Sequence, residues 1–541
     1  MQLSTAVKGL PGPLGARSLY ACLFFLSFLL ISLGSRRAKA IAPYATDIGH
    51  TELASQLGAN TPDGTGIRVQ HVEATHNGSG FTDYCPNPAV FGGAYVNSTL
   101  NAGVTQGSTG FSSHANGIAR YYYGTTDSIA PAISDIDGYE AFHWMGYDAT
   151  HIGSGAFNVT PDTSGFLNVE QGGLILPYKS DARIANHSWS FSHNSTSING
   201  ELLRRIDYIV EHDDFLQIAG VSPSGAREVF ASGFNEISVG RTNGIHAEGT
   251  KAVDSVYTAG REAPSLVAPT TTTSKASAVV SAVAALLLET AQNGALSGGS
   301  QITNDTRTIY HAETSEVIRA VLMASATRSA DGGDPTLNVL DNYNIDTANN
   351  LDLDYGAGQV NMLHSYNVLA GGVHDSVEDG NGSNIATHGW DYDPSFGGVG
   401  GTNATGTYGF TAGVQDQVLK ASLVWNIDIQ ADLGATIPVS IGPTLLYNLD
   451  LELWDATLGT KITTLGATSD STTENTENIF FDGLVAGNEY EMRVVGVGGL
   501  FEWDYGIAWQ IMPVPEPSSA ILFVAAALTM LSNYRHRTRR S

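Results

Sequence analysis

Val267-Ala268-Pro269, then Thr273-Ser274-Lys275-Ala276, then the run Ser277 to Leu288 form the stretch from which the rest of the chain is read. From Ser274 to Glu289 the residues are almost all Ala, Val, Ser and Leu, the composition of a helix packed on every side. A serine where such a helix begins meets backbone N–H groups with no helical partner and the positive end of the helix dipole. Two roles suit it there. It caps the helix, which serine commonly does, or it holds a reactive oxygen beside donors able to receive a developing oxyanion.

Outward from this helix, short β-rich runs alternate with helical ones. Ile67-Arg68-Val69-Gln70-His71-Val72 reads as a strand ending at Glu73, and Arg183-Ile184-Ala185-Asn186 as another. Phe215-Leu216-Gln217-Ile218-Ala219 and Glu236-Ile237-Ser238-Val239-Gly240 follow, and Ser315 to Ala326 has the apolar spacing of an amphipathic helix. Such alternation predicts an α/β domain, a mostly parallel sheet covered on both faces. Beyond about Asp375 the helical patterns stop. Val418 to Trp425, Leu449 to Trp454 and Tyr490 to Val495 predict an antiparallel β-sandwich, which puts a domain boundary near Gly371-Gly372. No internal repeat is visible.

Two further segments carry candidate chemistry. Ser113-His114-Ala115-Asn116-Gly117-Ile118-Ala119 places an imidazole at the start of a helix, and Glu73 places a carboxylate at the end of a strand. Taken in order, the segments around Glu73, His114 and Ser274 resemble the subtilisin-type serine peptidases, over roughly Thr65 to Leu369. The family's Gly-Thr-Ser-x-Ala-x-Pro falls on the stretch around Ser274, and its His-Gly-Thr-x-Val-Ala on the stretch around His114. The resemblance implies a three-layer α/β fold with Ser274 as nucleophile, His114 as general base and Glu73 as the acid that orients the imidazole. Ile184 to Trp189, with Asn186 and Ser188, resembles the strand and turn that pair with the substrate backbone. Ser238-Val239-Gly240-Arg241 matches a structural strand of the family, and Tyr355 to Asn361 its Gly-x-Gly-x-Val-Asn run.

The departures from that pattern matter as much. Glutamate stands where the family has aspartate. No asparagine follows the strand Leu216 to Gly220, where the family places an oxyanion donor, so Ser222 or a backbone N–H is left for that task. Losing such a donor costs about 3 kcal/mol of transition-state stabilisation. Thr272 replaces a glycine and Ala278 a proline. The function implied is a serine endopeptidase working through an acyl-enzyme on a protein or peptide substrate. The alternative is a catalytically impaired scaffold of the same fold that binds at a surface or in a matrix.

The two ends read as sorting signals. Lys8 and Arg17 precede an apolar run from Leu19 to Leu33 and the small-x-small triplet Ala38-Lys39-Ala40, the pattern of a signal peptide over residues 1–40. Val514-Pro515-Glu516-Pro517, an apolar stretch to Leu531 and the basic Arg535 to Arg540 resemble a PEP-CTERM tail, which implies removal by an exosortase-type enzyme. The expected organisation is therefore signal peptide, peptidase domain over 41–372, jelly-roll-like sandwich over 373–512 and sorting tail over 513–541. The expected destination is the cell surface or beyond, with membrane contact only through the cleavable ends. A formal charge of −27 on 541 residues excludes a nucleic-acid backbone as partner. Of the 2 cysteines, Cys22 lies in the signal segment and Cys85 is read as structural. No cofactor is expected. Relatives of the family often hold structural calcium, but the acidic stretch Asp331 to Asp354 lacks the spacing of an EF-hand loop, so no metal is assigned.

Overall fold

The structure is a computed structural model that describes residues 42–75, 84–91, 111–153, 156–161, 165–169, 175–303, 306–328, 343–378, 380, 383–398, 403–413, 417–431, 441–499 and 501–513. The segments read above as signal peptide and sorting tail, and Asp331, Asp334 and Asp341, lie outside the described residues.

Six strands form one parallel sheet: β1 (Arg68–Glu73), β2 (Asp135–Glu140), β3 (Ile184–His187), β4 (Leu216–Gly220), β5 (Ile237–Arg241) and β6 (Leu266–Ala268), in the order β2-β1-β3-β4-β5-β6. The chain runs from β1 outward to β2, then returns to β3 on β1's other side, so β1 is the topological switch point. Open α/β sheets place their crevices at the carboxyl ends of the strands beside such a point. Both faces are covered, as expected for a parallel sheet. Alternate strand residues feed two cores. Val69, Ile184 and Ile218 join the side chains of helices α1 (Ser113–Tyr122) and α3 (Thr273–Ala291). On the other face, Val72, Ala185 and Ala219 join α2 (Thr196–Asp213).

The strand β2 was not expected from its sequence, Asp-Ile-Asp-Gly-Tyr-Glu. It forms because Asp137, buried at this edge, receives a two-pronged contact from Arg68 of β1, at 3.0 Å to one oxygen and 2.9 Å to the other. The helix α3 is long and apolar enough to cross a membrane, but 78% of its apolar window is buried inside the protein, so it is a core helix.

Helices α4 (Ser315–Ala324) and α5 (Met362–Ala370) lead into seven main antiparallel strands: β7 (His388–Phe396), β8 (Thr405–Thr411), β9 (Gln417–Val424), β10 (Asn448–Asp455), β11 (Thr476–Leu484), β12 (Glu489–Val497) and β13 (Trp503–Pro513). One sheet runs β7-β13-β9-β11, and the other is centred on β8-β12-β10. The fold class is therefore an α/β domain followed by a β-sandwich.

The fold class changes near Gly371-Gly372, yet the core runs through. Along β13, Tyr505, Ile507 and Trp509 face the sandwich interior, while Ala508 joins the core of the α/β part. Helix α4 covers that second face. Its backbone comes so close that a Cβ on Gly506 would lie 2.6 Å from the carbonyl carbon of Glu316, which is why glycine stands there. The sheet thus has two buried faces instead of the half-solvated pattern usual for a sandwich.

Polar groups are buried in this seam as well. Arg319 of α4, 4% exposed, donates to the carbonyl of Phe234 at 2.8 Å and to Asn426 at 3.3 Å. Asn426 in turn donates to Ser315 and to the Glu316 carboxylate. The N–H of Glu262 donates to Glu474 at 2.8 Å.

Candidate active site

Three elements converge at the carboxyl end of the switch-point strand. Period-two alternation along β1 puts Val69, His71 and Glu73 on the face covered by α1 and α3. Glu73 is 1% exposed. Helix α1 is capped by Ser112, whose hydroxyl accepts from Ala115 at 3.2 Å, and this fixes His114 in the first turn. The imidazole Nδ1 of His114 and the Glu73 Oε2 are 2.9 Å apart. With the carboxylate accepting, Nδ1 carries the proton and Nε2 presents its lone pair, the tautomer a general base needs.

Electrostatics reinforce the pair. Burial on its own pushes a carboxyl up, but the imidazoles of His114 and His71 outweigh it and hold Glu73 below the usual carboxylate range. Burial likewise disfavours a charged imidazole, and the Glu73 carboxylate outweighs that in His114, raising it above its ordinary value.

Ser274 sits one residue into α3. The cap of that helix is Thr272, whose hydroxyl accepts from Lys275 at 3.2 Å, so capping does not occupy Ser274. Thr272 is extended, with φ −142°, and therefore needs no glycine. The start of α3 lies tight against β4. A Cβ on Gly220 would come within 3.1 Å of the Thr273 carbonyl oxygen. The Ser274 hydroxyl donates to the carbonyl of Ser188 at 3.2 Å. Among the described residues no hydrogen bond joins Ser274 to His114. Helices α1 and α3 pack on one another, and the Lys275 ammonium lies 5.1 Å from the centre of the Tyr121 ring.

Ser188 is the hub beneath the serine. Its hydroxyl is 2.8 Å from Asn186 Oδ1, 3.0 Å from the Ser274 carbonyl and 3.1 Å from the Ser277 hydroxyl. Asn186 is fully buried and donates to Ser281 of α3 at 3.0 Å, so its side chain braces the helix from inside the sheet and offers no surface to a substrate. Ser222 lies past the end of β4. Its hydroxyl is 2.9 Å from that of Ser224 and accepts from the Ser224 N–H at 3.3 Å, which commits it to its own turn.

Sequence reading passed over three contributors: His71, Tyr123 and the pair Ser277 and Ser281. The signal for His71 was available, since a residue two before Glu73 on a strand shares its face. Asp346 and Asp352, in the acidic stretch, accept backbone N–H groups of their own loop, among them Leu353 at 2.9 Å and Asn344 at 2.6 Å. That is a turn-forming role.

No protein-family model matches the chain, and no curated protein does. Solved structures similar to it include a protease from Pseudoalteromonas arctica, at 12% identity over 61% of this chain and 100% of that one, with a TM-score of 0.30. Another is a serine protease that is an essential component of the type VII (ESX-1) secretion system, at 16% identity over 61% and 90%, TM-score 0.31. A third is tripeptidyl peptidase 2, at 10% identity over 74% and 40%, TM-score 0.28. At these scores the likeness decides nothing about activity, which has to be read from the site.

Proposed function

We propose that the chain is an exported serine endopeptidase of the subtilisin type, with Ser274 as nucleophile, His114 as general base and Glu73 as the orienting acid. The observation that carries this reading is the 2.9 Å contact between a buried carboxylate and His114 at the carboxyl end of the switch-point strand. A carboxylate shut away from water at this point, held ionised by an imidazole, is what a proton-shuttling histidine requires.

Ser274 leaves the Ser188 carbonyl by rotation about χ1 and passes its proton to Nε2 of His114 as its oxygen attacks the scissile carbonyl. The oxyanion goes to the Ser274 N–H, one of the first-turn donors that a helix leaves unused. His114 then gives the proton to the leaving amine, and water, activated the same way, releases the acyl group. The Ser188 turn lines the substrate backbone, and Asn186 and Ser281 keep it in place. Ser222 contributes through its backbone, not its hydroxyl. The substrate is a protein or peptide, the signal peptide and the tail are removed during export, and an exosortase-type enzyme removes the latter.

The alternative, an impaired scaffold that binds at a surface, draws support from the engaged Ser274 hydroxyl and from the missing oxyanion asparagine. Labelling with a fluorophosphonate separates the two. The endopeptidase takes up label at Ser274, and Ser274→Ala and His114→Ala abolish both labelling and peptide hydrolysis while leaving the circular dichroism unchanged. Absence of label on the wild-type chain would establish the scaffold reading.

A further inference from the structure

We propose that His71, backed by Tyr123, is a positioning residue that fixes and electrostatically anchors the Glu73 carboxylate; the proposal rests on the peptidase reading above. The imidazole of His71 is 2% exposed and stands on the same face of β1 as Glu73. Its Nδ1 lies 2.8 Å from the Tyr123 hydroxyl, and the two rings meet edge to face at 5.9 Å. Its Nε2 is 3.6 Å from Glu73 Oε2, the same oxygen that faces His114. That nitrogen is buried and has no hydrogen-bond partner among the described residues.

The neighbouring carboxylate favours one tautomer, since a lone pair on Nε2 would face its negative charge. With the Tyr123 O–H donating to Nδ1, Nε2 bears the hydrogen and aims it at the carboxylate. At 3.6 Å this is an oriented dipole beside a charge and falls outside hydrogen-bond range. The other Glu73 oxygen accepts from the Ala74 N–H at 3.2 Å. Both oxygens are thus addressed, and neither has water to turn to.

The surrounding titratable groups point elsewhere. Glu140 is the register partner of Glu73 on β2, but its carboxylate caps the N–H of His143 at 2.8 Å. His187, at the end of β3, lies 2.9 Å from Gln217 and packs on Trp144 and Phe230 in the opposite core. Among the described residues, the two imidazoles are what keeps the carboxylate below its usual range.

A function follows. When the serine proton reaches His114 Nε2, the imidazolium keeps its Nδ1 proton only if Glu73 does not take it. A buried carboxylate is a strong base, and an N–H dipole aimed at the same oxygen weakens it. Helix α1 supplies both His114 from its first turn and, just past its end, Tyr123, so one helix sets the base and the prop behind its acid.

The test follows the pH titration of His114 by heteronuclear NMR on the full chain labelled in histidine, beside kcat and KM for a peptide. The lower titration step of the Glu73–His114 pair reports protonation of the carboxylate. In His71→Phe this step moves up by about one pH unit, a tenfold change in the protonation constant, and kcat falls about tenfold with KM unchanged. His71→Gln, which keeps an N–H donor, restores at least half of the shift, and Tyr123→Phe gives a smaller shift of the same sign. If His71→Phe does not fold, Tyr123→Phe and His71→Gln carry the test.

A titration step that stays within about 0.2 unit of wild type in folded variants overturns the proposal, even if kcat falls, since a packing role lowers activity without moving it. If the step moves but wild type takes no fluorophosphonate, the positioning role stands and the peptidase reading fails. If label is taken and the step does not move, the reverse holds.

Discussion

Glu73 at the end of β1 and Glu474 in the seam against the sandwich are both buried, at 1% and 8% exposure. Their ionisation differs in direction. Glu73 is held below the usual carboxylate range, since two imidazoles outweigh its burial. Burial pushes Glu474 up to about 7, and Arg261 and the Glu262 N–H only partly offset it. Glu316, in the same seam, is pushed further up by burial and by neighbouring Asp504 and Asp214. Burial raises the energy of a charge in either place, and the partners decide whether the charge survives. At the end of β1 the partners favour the charged form. The seam shifts its acids toward the neutral form.

The largest test of this contrast is Glu73→Gln. The amide keeps the size of the side chain but favours the wrong His114 tautomer, so kcat should fall by about four orders of magnitude with the fold intact. Full activity in this variant would reduce Glu73 to a strand-end acid. Next comes Arg319→Ala in the seam. It removes the donor to the Phe234 carbonyl and to Asn426, leaves two buried acceptors unpaired, and should destabilise the folded chain by about 2–4 kcal/mol, read by denaturant unfolding, with kcat unchanged in the surviving native fraction. A loss below about 1 kcal/mol would mean that the seam holds without these hydrogen bonds.

The smallest effect distinguishes the two regions by pH. A carboxyl raised in the folded state favours folding fully below its unfolded value, near 4.3, and loses that contribution as pH rises through the folded value. For Glu474 the window runs from there to about 7. Stability should therefore decline from pH 5 to 8, and Glu474→Gln should flatten part of that decline by about 1 kcal/mol at pH 8, measured by calorimetry. Glu73 has the opposite sign. Its lowered value adds stability above the unfolded value that is lost on acidification. A seam variant that sharpened the alkaline decline would reverse the assignment.

Most of the α/β part was legible because its strands are short apolar runs and its central helix is apolar on every side. Each expected strand falls within a residue or two of an observed one. Asp135–Glu140 escaped because its acids look like a turn, and only the Arg68 contact from β1 explains why they pair as a strand. The helix Thr196–Asp213 escaped because it buries Arg205 and Asp207, which break the apolar stripe. Arg205 is satisfied by Glu201 at 2.6 Å and by two carbonyls, and Asp207 by the N–H of Asn235 at 2.8 Å. At the site, the spacing of motifs named Glu73, His114 and Ser274. It did not reveal that Thr272 caps α3, or that Asn186 turns inward, because both depend on which side chain reaches which partner across the sheet.

The strand β13 sits in the middle of its sheet, between β7 and β9, and also lies against α4. Helix α4 is synthesised long before it. Until the sheet that holds His388–Phe396, Gln417–Val424 and Trp503–Pro513 has emerged, the outer face of α4 is uncovered, and the core it shares with α3 stays open to water. Assembly is therefore committed late, by a sheet far downstream of Glu73, His114 and Ser274. A nascent chain with Glu73, His114 and Ser274 already made still lacks the wall that packs their scaffold. A chain cut just after Gly372 keeps Glu73, His114 and Ser274 but has nothing to close α4, so it should be aggregation-prone.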